Sequence, residues 1–249
     1  PSLTFETINR YAKTMKSNVK RIPMKNDIGI DLNRMNDNIN RRTKMIYLCN
    51  PNNPTGMLMN TDDLESFCLQ VSSKAIVFVD EAYHEYVTDP NYRSMIDLVK
   101  SGKNVIVSRT ASKVHGLAGL RVGFAISTPQ IVKRLESYLT DSLNIVGLRA
   151  AIASYQDKRF QTHSVDMNNK AKKVVADYLD TKGIQYLDSQ TNFMFIKTDI
   201  DISDFQPAME KHGVLVGRPF PPFTNWCRLS MAKPEQMQKF NDGFGKVLS

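Results

Sequence analysis

Little in this 249-residue sequence points to a membrane, a metal or a disulfide framework. No apolar run approaches the roughly eighteen residues that a spanning helix needs, and the opening residues form neither a basic-then-apolar leader nor an amphipathic transit pattern. A cytoplasmic location is therefore expected. Cysteine is scarce: Cys49, Cys68 and Cys227 are odd in number, widely spaced and set among apolar neighbours, which suits reduced packing residues better than paired or metal-bound ones. The four histidines, His84, His115, His163 and His212, show no i, i+4 ligand spacing, so no metal is expected. A Gly-x-x-x-x-Gly-Lys-Ser/Thr loop is also missing, and without it the apolar run ending in Asp80-Glu81 does not read as the metal-binding strand of a nucleotide hydrolase.

Acidic residues are outnumbered, 25 Asp and Glu against 33 Lys and Arg, for a net charge of +8. The excess is scattered through residues 13–25, 41–44 and 170–173 without interleaved aromatics, which describes a solvated face and not a nucleic-acid surface. With 41% hydrophobic and 23% charged residues, the chain can bury the core of one large globular domain or of two smaller ones. It opens on Pro1, inside what reads as a working segment, so an upstream part is expected to be missing.

Three short apolar runs dominate the first half: residues 45–49, 75–79 and 104–107. They are too short for helices, lack alternation, and are separated by stretches of helical character at 62–73 and 91–101, which is the βαβ rhythm of a parallel sheet. A fourth run, 122–126, follows a Gly-rich stretch and suits another strand of the same sheet, its direction unreadable. Beyond Thr128-Pro129 the periodicity turns helical through 130–139, 146–156 and 168–179. Short strands at 192–196 and 226–230 then alternate with helix, as in a smaller α+β domain.

In open parallel α/β sheets ligands bind beyond the carboxyl ends of the strands. Here those ends are polar: Asn50-Pro51-Asn52-Asn53-Pro54-Thr55-Gly56, Asp80-Glu81-Ala82-Tyr83, and Ser108-Arg109-Thr110-Ala111-Ser112-Lys113. Taken singly, the first is ordinary turn composition, and Ser112-Lys113 with Gly116, Gly119, Arg121 and Gly123 is compatible with a flexible basic loop. Their order and joint placement carry more weight than any one of them. Asn53-Pro54-Thr55-Gly56, Asp80-Glu81-Ala82-Tyr83 and Ser112-Lys113-x-x-Gly116-Leu117-Ala118-Gly119-Leu120-Arg121-Val122-Gly123 together resemble the class I/II aminotransferases, the histidinol-phosphate aminotransferase branch above all. Thr191-Asn192-Phe193 and Arg228-Leu229-Ser230 extend the resemblance over nearly the whole chain, with the family's N-terminal part absent.

The resemblance implies an α/β fold of the fold-type-I pyridoxal-phosphate transferases: a mostly parallel sheet flanked by helices, incomplete at its N-terminus, and a smaller C-terminal α+β domain. The division expected is residues 1–160 for the large cofactor-binding domain and 161–249 for the small one. It implies pyridoxal 5'-phosphate as cofactor and Lys113 as the amine that holds its aldehyde, a role that needs a lysine whose pKa is lowered by burial and nearby cations. Asp80 would face the ring nitrogen and keep it protonated, Asn53 and Tyr83 would bond the 3' oxygen, and Phe5 would stack on the ring. Arg121, Thr110 and Ser112 would hold the phosphate, and Arg228, with Arg218 as a second contact, the substrate's anionic end. The family usually has Pro where Leu3 stands and an aromatic where His115 stands. Glu81 reads as structural, and Trp226 and Phe223 as packing.

The activity implied is amino-group transfer between an amino acid, or an amino alcohol phosphate, and a 2-oxo acid or carbonyl compound, by a homodimer that binds neither nucleic acid nor membrane. A decarboxylase of an amino-acid phosphate on the same fold is the alternative, together with an inactive fragment.

Overall fold

The computed structural model describes residues 1–140 and 142–248. Two short helices, α1 (Thr7–Thr14) and α2 (Leu32–Asp37), precede the first strand, β1 (Met45–Cys49). Helix and strand then alternate through α3 (Thr61–Val71), β2 (Ile76–Asp80), α4 (Ile96–Lys100), β3 (Val105–Thr110) and β4 (Gly123–Ile126). The start of α3 is set by Asn60, whose Oδ1 accepts from the Asp63 amide at 3.0 Å, while Asp62 and Asp63 place negative charge at the positive end of the helix dipole.

The four strands form one sheet in the order β1-β2-β3-β4. The first three are parallel, with Cys49 beside Asp80 and Asp80 beside Ser108. The direction of β4, which the sequence leaves open, is antiparallel. Between β3 and β4 there is only the short turn Ala118–Leu120 in place of a crossover helix, so the chain doubles back on itself.

Because strand side chains alternate between faces, register decides what each face carries. Ile46 and Leu48, Val77 and Val79, and Val105 and Val107 lie on one face and join Leu64, Phe67, Cys68 and Val71 of α3 in the main core. Tyr47 and Cys49, Phe78 and Asp80, and Ile106 and Ser108 occupy the other. Polar chemistry thus collects on the sheet face that α3 does not cover.

Helical character expected over 91–101 is confined to α4. The residues before it are diverted by a buried carboxylate: Glu81 accepts from Ser94 Oγ at 2.7 Å and from the Met95 amide at 2.8 Å, bonds that compete with the helix ladder.

Beyond the sheet come α5 (Pro129–Glu136), α6 (Ile145–Gln156) and α7 (Lys158–Thr181), the last 24 residues long and begun by Asp157, which accepts from the Phe160 amide at 2.9 Å. Residue 160 thus falls in the first turn of an unbroken helix. Then follow β5 (Phe193–Lys197), α8 (Ile202–Glu210), β6 (Trp226–Ser230) and α9 (Pro234–Leu248). The antiparallel pair β5-β6 gives one face, Met194, Ile196, Cys227 and Leu229, to a second core shared with Ala171, Val175 and Leu179 of α7, Phe205 of α8, and Phe240 and Phe244 of α9. Its other face carries Phe193, Phe195, Trp226 and Arg228. Trp226 stacks on Phe195 at 5.2 Å and, with Phe223, belongs to an apolar cluster, in keeping with packing roles. Among the described residues no helix is long and apolar enough to cross a membrane.

The two cores are joined at the turn after β1. Gln190 donates its amide to Gly56 O at 2.9 Å and accepts from the Thr88 amide at 2.9 Å. Gly56 adopts φ +77, and a Cβ there would run into Ser189 Oγ and lie 2.7 Å from Ser189 Cβ. Gly56→Ala is therefore expected to destabilise the protein by about 2 kcal/mol or more, from backbone strain and overpacking together. A urea midpoint lowered at unchanged slope would register it.

Candidate active site

The turn at 50–56 is held by its own side chains together with backbone bonds, among them Asn52 amide to Met57 O at 2.9 Å and Gly56 amide to Asn52 O at 2.7 Å. Asn50 Oδ1 accepts from the Met59 amide at 2.9 Å, and the Asn50 amide donates to Asp80 O at 2.9 Å. Asn52 accepts from Thr4 Oγ1 at 2.9 Å and donates to Leu3 O at 3.1 Å and to Thr55 Oγ1 at 3.0 Å, tying the first residues of the chain to the sheet. With these groups satisfied, Asn53 is turned toward the interior. Its Oδ1 accepts from Arg228 Nη1 at 3.0 Å and its Nδ2 makes a long 3.4 Å contact with the Tyr83 hydroxyl, so both ends of the amide are oriented.

Asp80 ends β2 and is partly buried. Its Oδ1 accepts from Ser108 Oγ at 2.8 Å and from the Ala82 amide at 3.2 Å, and its Oδ2 from the Tyr47 hydroxyl at 3.0 Å. Burial pushes the Asp80 carboxyl above the ordinary value, and the opposing influences are these three bonds and the charge of Lys113.

Lys113 lies in the loop after β3, its Nζ 5.0 Å from the centre of the Tyr83 ring. Burial and, next, the charge of Arg228 lower its pKa, Arg121 adding to the effect while Asp80 and Cys49 oppose it. A lysine amine with a carboxylate and two guanidiniums within electrostatic reach is thus placed where the strands finish. Arg121 itself is exposed, in a left-handed conformation with φ 56, and donates from Nη1 to Ala118 O at 2.7 Å. Thr110 Oγ1 donates to Val122 O at 3.2 Å and accepts from the Ser112 amide at 3.1 Å, which closes the loop carrying Lys113.

Arg228 comes from the other half of the molecule. Alternation along β6 aims it at the large sheet, its Cζ 4.9 Å from the Phe193 ring, which in turn meets the Tyr83 ring edge-on at 5.2 Å. Among the described residues Arg228 has no carboxylate partner, and its Nε is buried without a hydrogen-bond acceptor. A buried donor of that kind is costly unless an acceptor arrives with a ligand. Burial lowers its pKa below the usual guanidinium value. Arg218 is exposed, with its Cζ 4.2 Å over the Phe220 ring and Arg228 5.9 Å from the same ring. Phe5 is 42% exposed and follows Thr4, which anchors its segment to Asn52.

Two residues given no role from the sequence, Tyr47 within the first apolar run and Ser108 just beyond the third, turn out to be bonded to Asp80. The available sign was a phenol and a hydroxyl at buried strand positions, where each needs a partner. Glu81, one residue beyond Asp80, points elsewhere: it receives Arg109 Nε at 3.0 Å and Nη2 at 2.6 Å, besides Ser94 and Met95. Arg109 also meets His84 Nε2. The three cysteines are free and buried. Burial holds Cys49 well above the ordinary thiol range and raises Cys68 and Cys227 to about 12.

An amine, a carboxylate and a guanidinium without a carboxylate partner thus gather around the carboxyl ends of parallel strands, and the family model for aminotransferase class I and II matches residues 1–243. The chain belongs to that family. Within it, histidinol-phosphate aminotransferase 2 of Hydrogenovibrio crunogenus is 36% identical over 225 residues, covering 89% of this chain and 60% of the relative. Histidinol-phosphate aminotransferase of Halalkalibacterium halodurans is 32% identical over 243 residues, 96% of this chain and 64% of that one. A crystal structure from Erwinia carotovora atroseptica SCRI1043, provisionally described as a histidinol-phosphate aminotransferase, superposes with a TM-score of 0.93 at 33% identity, over 99% of this chain and 72% of the other. The fold-type-I expectation is borne out. The chain spans 60% and 64% of the lengths of these two curated relatives.

Two outcomes follow from the geometry. Arg109→Met should cost about 3–5 kcal/mol by stranding the Glu81 carboxylate, most of it recovered when Glu81→Met is added, as a double-mutant unfolding cycle would register. Acylation of Lys113 follows its neutral fraction, so its rate should rise with pH through the lowered pKa. Arg228→Gln removes a cation and should move that profile to higher pH, measured by mass mapping of the labelled peptide.

Proposed function

We propose that this protein acts in pyridoxal-phosphate-dependent transfer of an amino group between an amino acid, or an amino alcohol phosphate, and a 2-oxo acid or carbonyl compound. The observation that carries this reading is the partly buried Lys113 amine, its pKa lowered by burial and then by the charge of Arg228, against the opposing charge of Asp80. The residues present suit the cofactor. A lysine amine whose pKa is lowered by burial is available for its aldehyde, Asp80 Oδ2 retains a lone pair for its ring nitrogen, and the buried Arg228 Nε–H has no acceptor until an anionic substrate arrives. When bound, the cofactor supplies an electron sink for negative charge at the substrate Cα.

This chain's own residues do the rest. Asp80 presents a carboxylate to the ring nitrogen and holds a proton there. Asn53 and Tyr83, already oriented on each other, bond the ring's 3' oxygen. Arg121, with Thr110 at the end of β3 and Ser112 in the loop beyond it, would receive the phosphate, and Phe5 would cover the ring. Lys113 would hold the cofactor's aldehyde and, as a general base beside the substrate Cα, would carry the proton that leaves it. Arg228 grips the substrate carboxylate or phosphate in two-pronged fashion, and Arg218 adds a second cation. The donor and acceptor chemistry follows the curated relatives, which are histidinol-phosphate aminotransferases. A cytoplasmic homodimer completes the proposal. The dimer is supported by the family likeness and by five large apolar side chains near one another in sequence, Tyr138, Leu139, Leu143, Ile145 and Val146, each more than 60% exposed.

Borohydride trapping with pyridoxal 5'-phosphate should label Lys113, and Lys113→Ala should abolish the label. Label on a different lysine would overturn the assignment. Asp80→Ala should lower kcat by roughly 100-fold or more with a smaller change in cofactor affinity. Arg228→Lys should raise KM for the amino donor about 30-fold, because a point charge cannot replace the planar fork.

A further inference from the structure

Resting on the reading above, we propose that Tyr47 is a positioning residue: with Ser108, its hydroxyl holds the Asp80 carboxylate so turned that one lone pair on Oδ2 is left for the cofactor's ring nitrogen. A carboxylate offers about four acceptor positions. Ser108 Oγ and the Ala82 amide occupy Oδ1, and the Tyr47 hydroxyl takes one place on Oδ2. The remaining place is on the oxygen that Tyr47 already holds, so the phenol decides where the ring's N–H is received.

The strand geometry makes this a built arrangement. Tyr47 lies two residues before Cys49, which is the register neighbour of Asp80, so Tyr47, Cys49 and Asp80 share the sheet face away from the main core. The Tyr47 ring packs on Phe78 at 5.6 Å, which fixes the reach of its hydroxyl. Phenylalanine would fill the same space, so packing alone does not account for the hydroxyl.

Among the described residues, the ionisable groups that act on or are acted on by Asp80 include Tyr47 and Cys49 from β1, Tyr83 from the turn after β2, and Lys113 from the loop after β3. Burial raises the pKa of Tyr47, Cys49 and Tyr83, so all three keep their protons, and the Cys49 thiol is spent on Pro51 O at 3.2 Å. Hydroxyl donors, one amide and the Lys113 charge are what oppose the burial of Asp80. Removing the phenol hydroxyl destabilises the anion, and the carboxyl then keeps its proton to higher pH. In the loaded protein the same change makes Asp80 more basic, drawing the shared proton away from the ring and weakening its pull on electrons.

The test is Tyr47→Phe, read first without cofactor. In protein carrying carbon-13 at aspartate Cγ, with the Asp80 resonance assigned by its loss in Asp80→Asn, the Asp80 titration should move up by about one pH unit. In the loaded protein kcat should fall about tenfold, the same free energy, with KM for the amino donor unchanged. Coincident titration curves for wild type and Tyr47→Phe would overturn the proposal and leave Tyr47 a packing residue. Should Tyr47→Phe not fold, Ser108→Ala removes the other hydroxyl with little volume, and an unmoved Asp80 titration there would overturn the pair. An upward shift in a protein that takes up no pyridoxal phosphate would sink the proposed function while leaving the hydroxyls' hold on Asp80 standing.

Discussion

Everything at the candidate site depends on how the turn at 50–56 closes the first strand. Its backbone is locked by Asn50 and Asn52, which bond inward to Met59, Thr55 and the segment around Leu3. Those bonds leave the next asparagine, Asn53, free to bridge the two halves of the molecule through Arg228 and Tyr83. The close approach of Ser189 to Gly56 then brings β5-β6 into position. A side chain at 56 would push the small sheet away, and with it the guanidinium that confronts Lys113.

The electrostatics are assembled by this closure and by strand register. Lys113 and Arg228 are cations brought together in partial burial, an unfavourable arrangement that Asp80 opposes only in part. Folding elsewhere offsets the cost: one core fills beneath the sheet around Leu48, Val77 and Val105, and a second gathers on α7 around Phe205 and Phe244. Stability and chemistry thus occupy opposite faces of the same strands, as the period-two alternation of side chains requires. Groups that disfavour one another can remain in place because the other face holds the backbone still.

Much of this was legible before any coordinates. The apolar runs at 45–49, 75–79 and 104–107 were short and bounded by polar turns, and they became β1, β2 and β3 with small shifts at their ends. The family motif order singled out Lys113, Asp80 and Arg121, which share one electrostatic neighbourhood. What escaped was set by tertiary partners. The direction of β4 depended on whether residues 111–122 held a crossover helix, and composition alone does not settle that. The expected helix at 91–101 lost its first turns to the Glu81 carboxylate, a partner distant in sequence. Tyr47 looked like one more apolar strand residue, because hydrophobic patterning records where a ring is buried and is silent about where its hydroxyl goes.

The buried cysteines have a practical corollary. Cys49, Cys68 and Cys227 are all enclosed and keep their protons far into the alkaline range, so at neutral pH the native molecule presents almost no thiolate to an alkylating probe. A single cysteine introduced on an exposed helix would therefore carry a fluorophore or spin label alone, against a silent background. Pairs of such labels, one on α3 and one on α9, would give the separation of the two cores as a ruler distance without first stripping the natural sulfur from the chain.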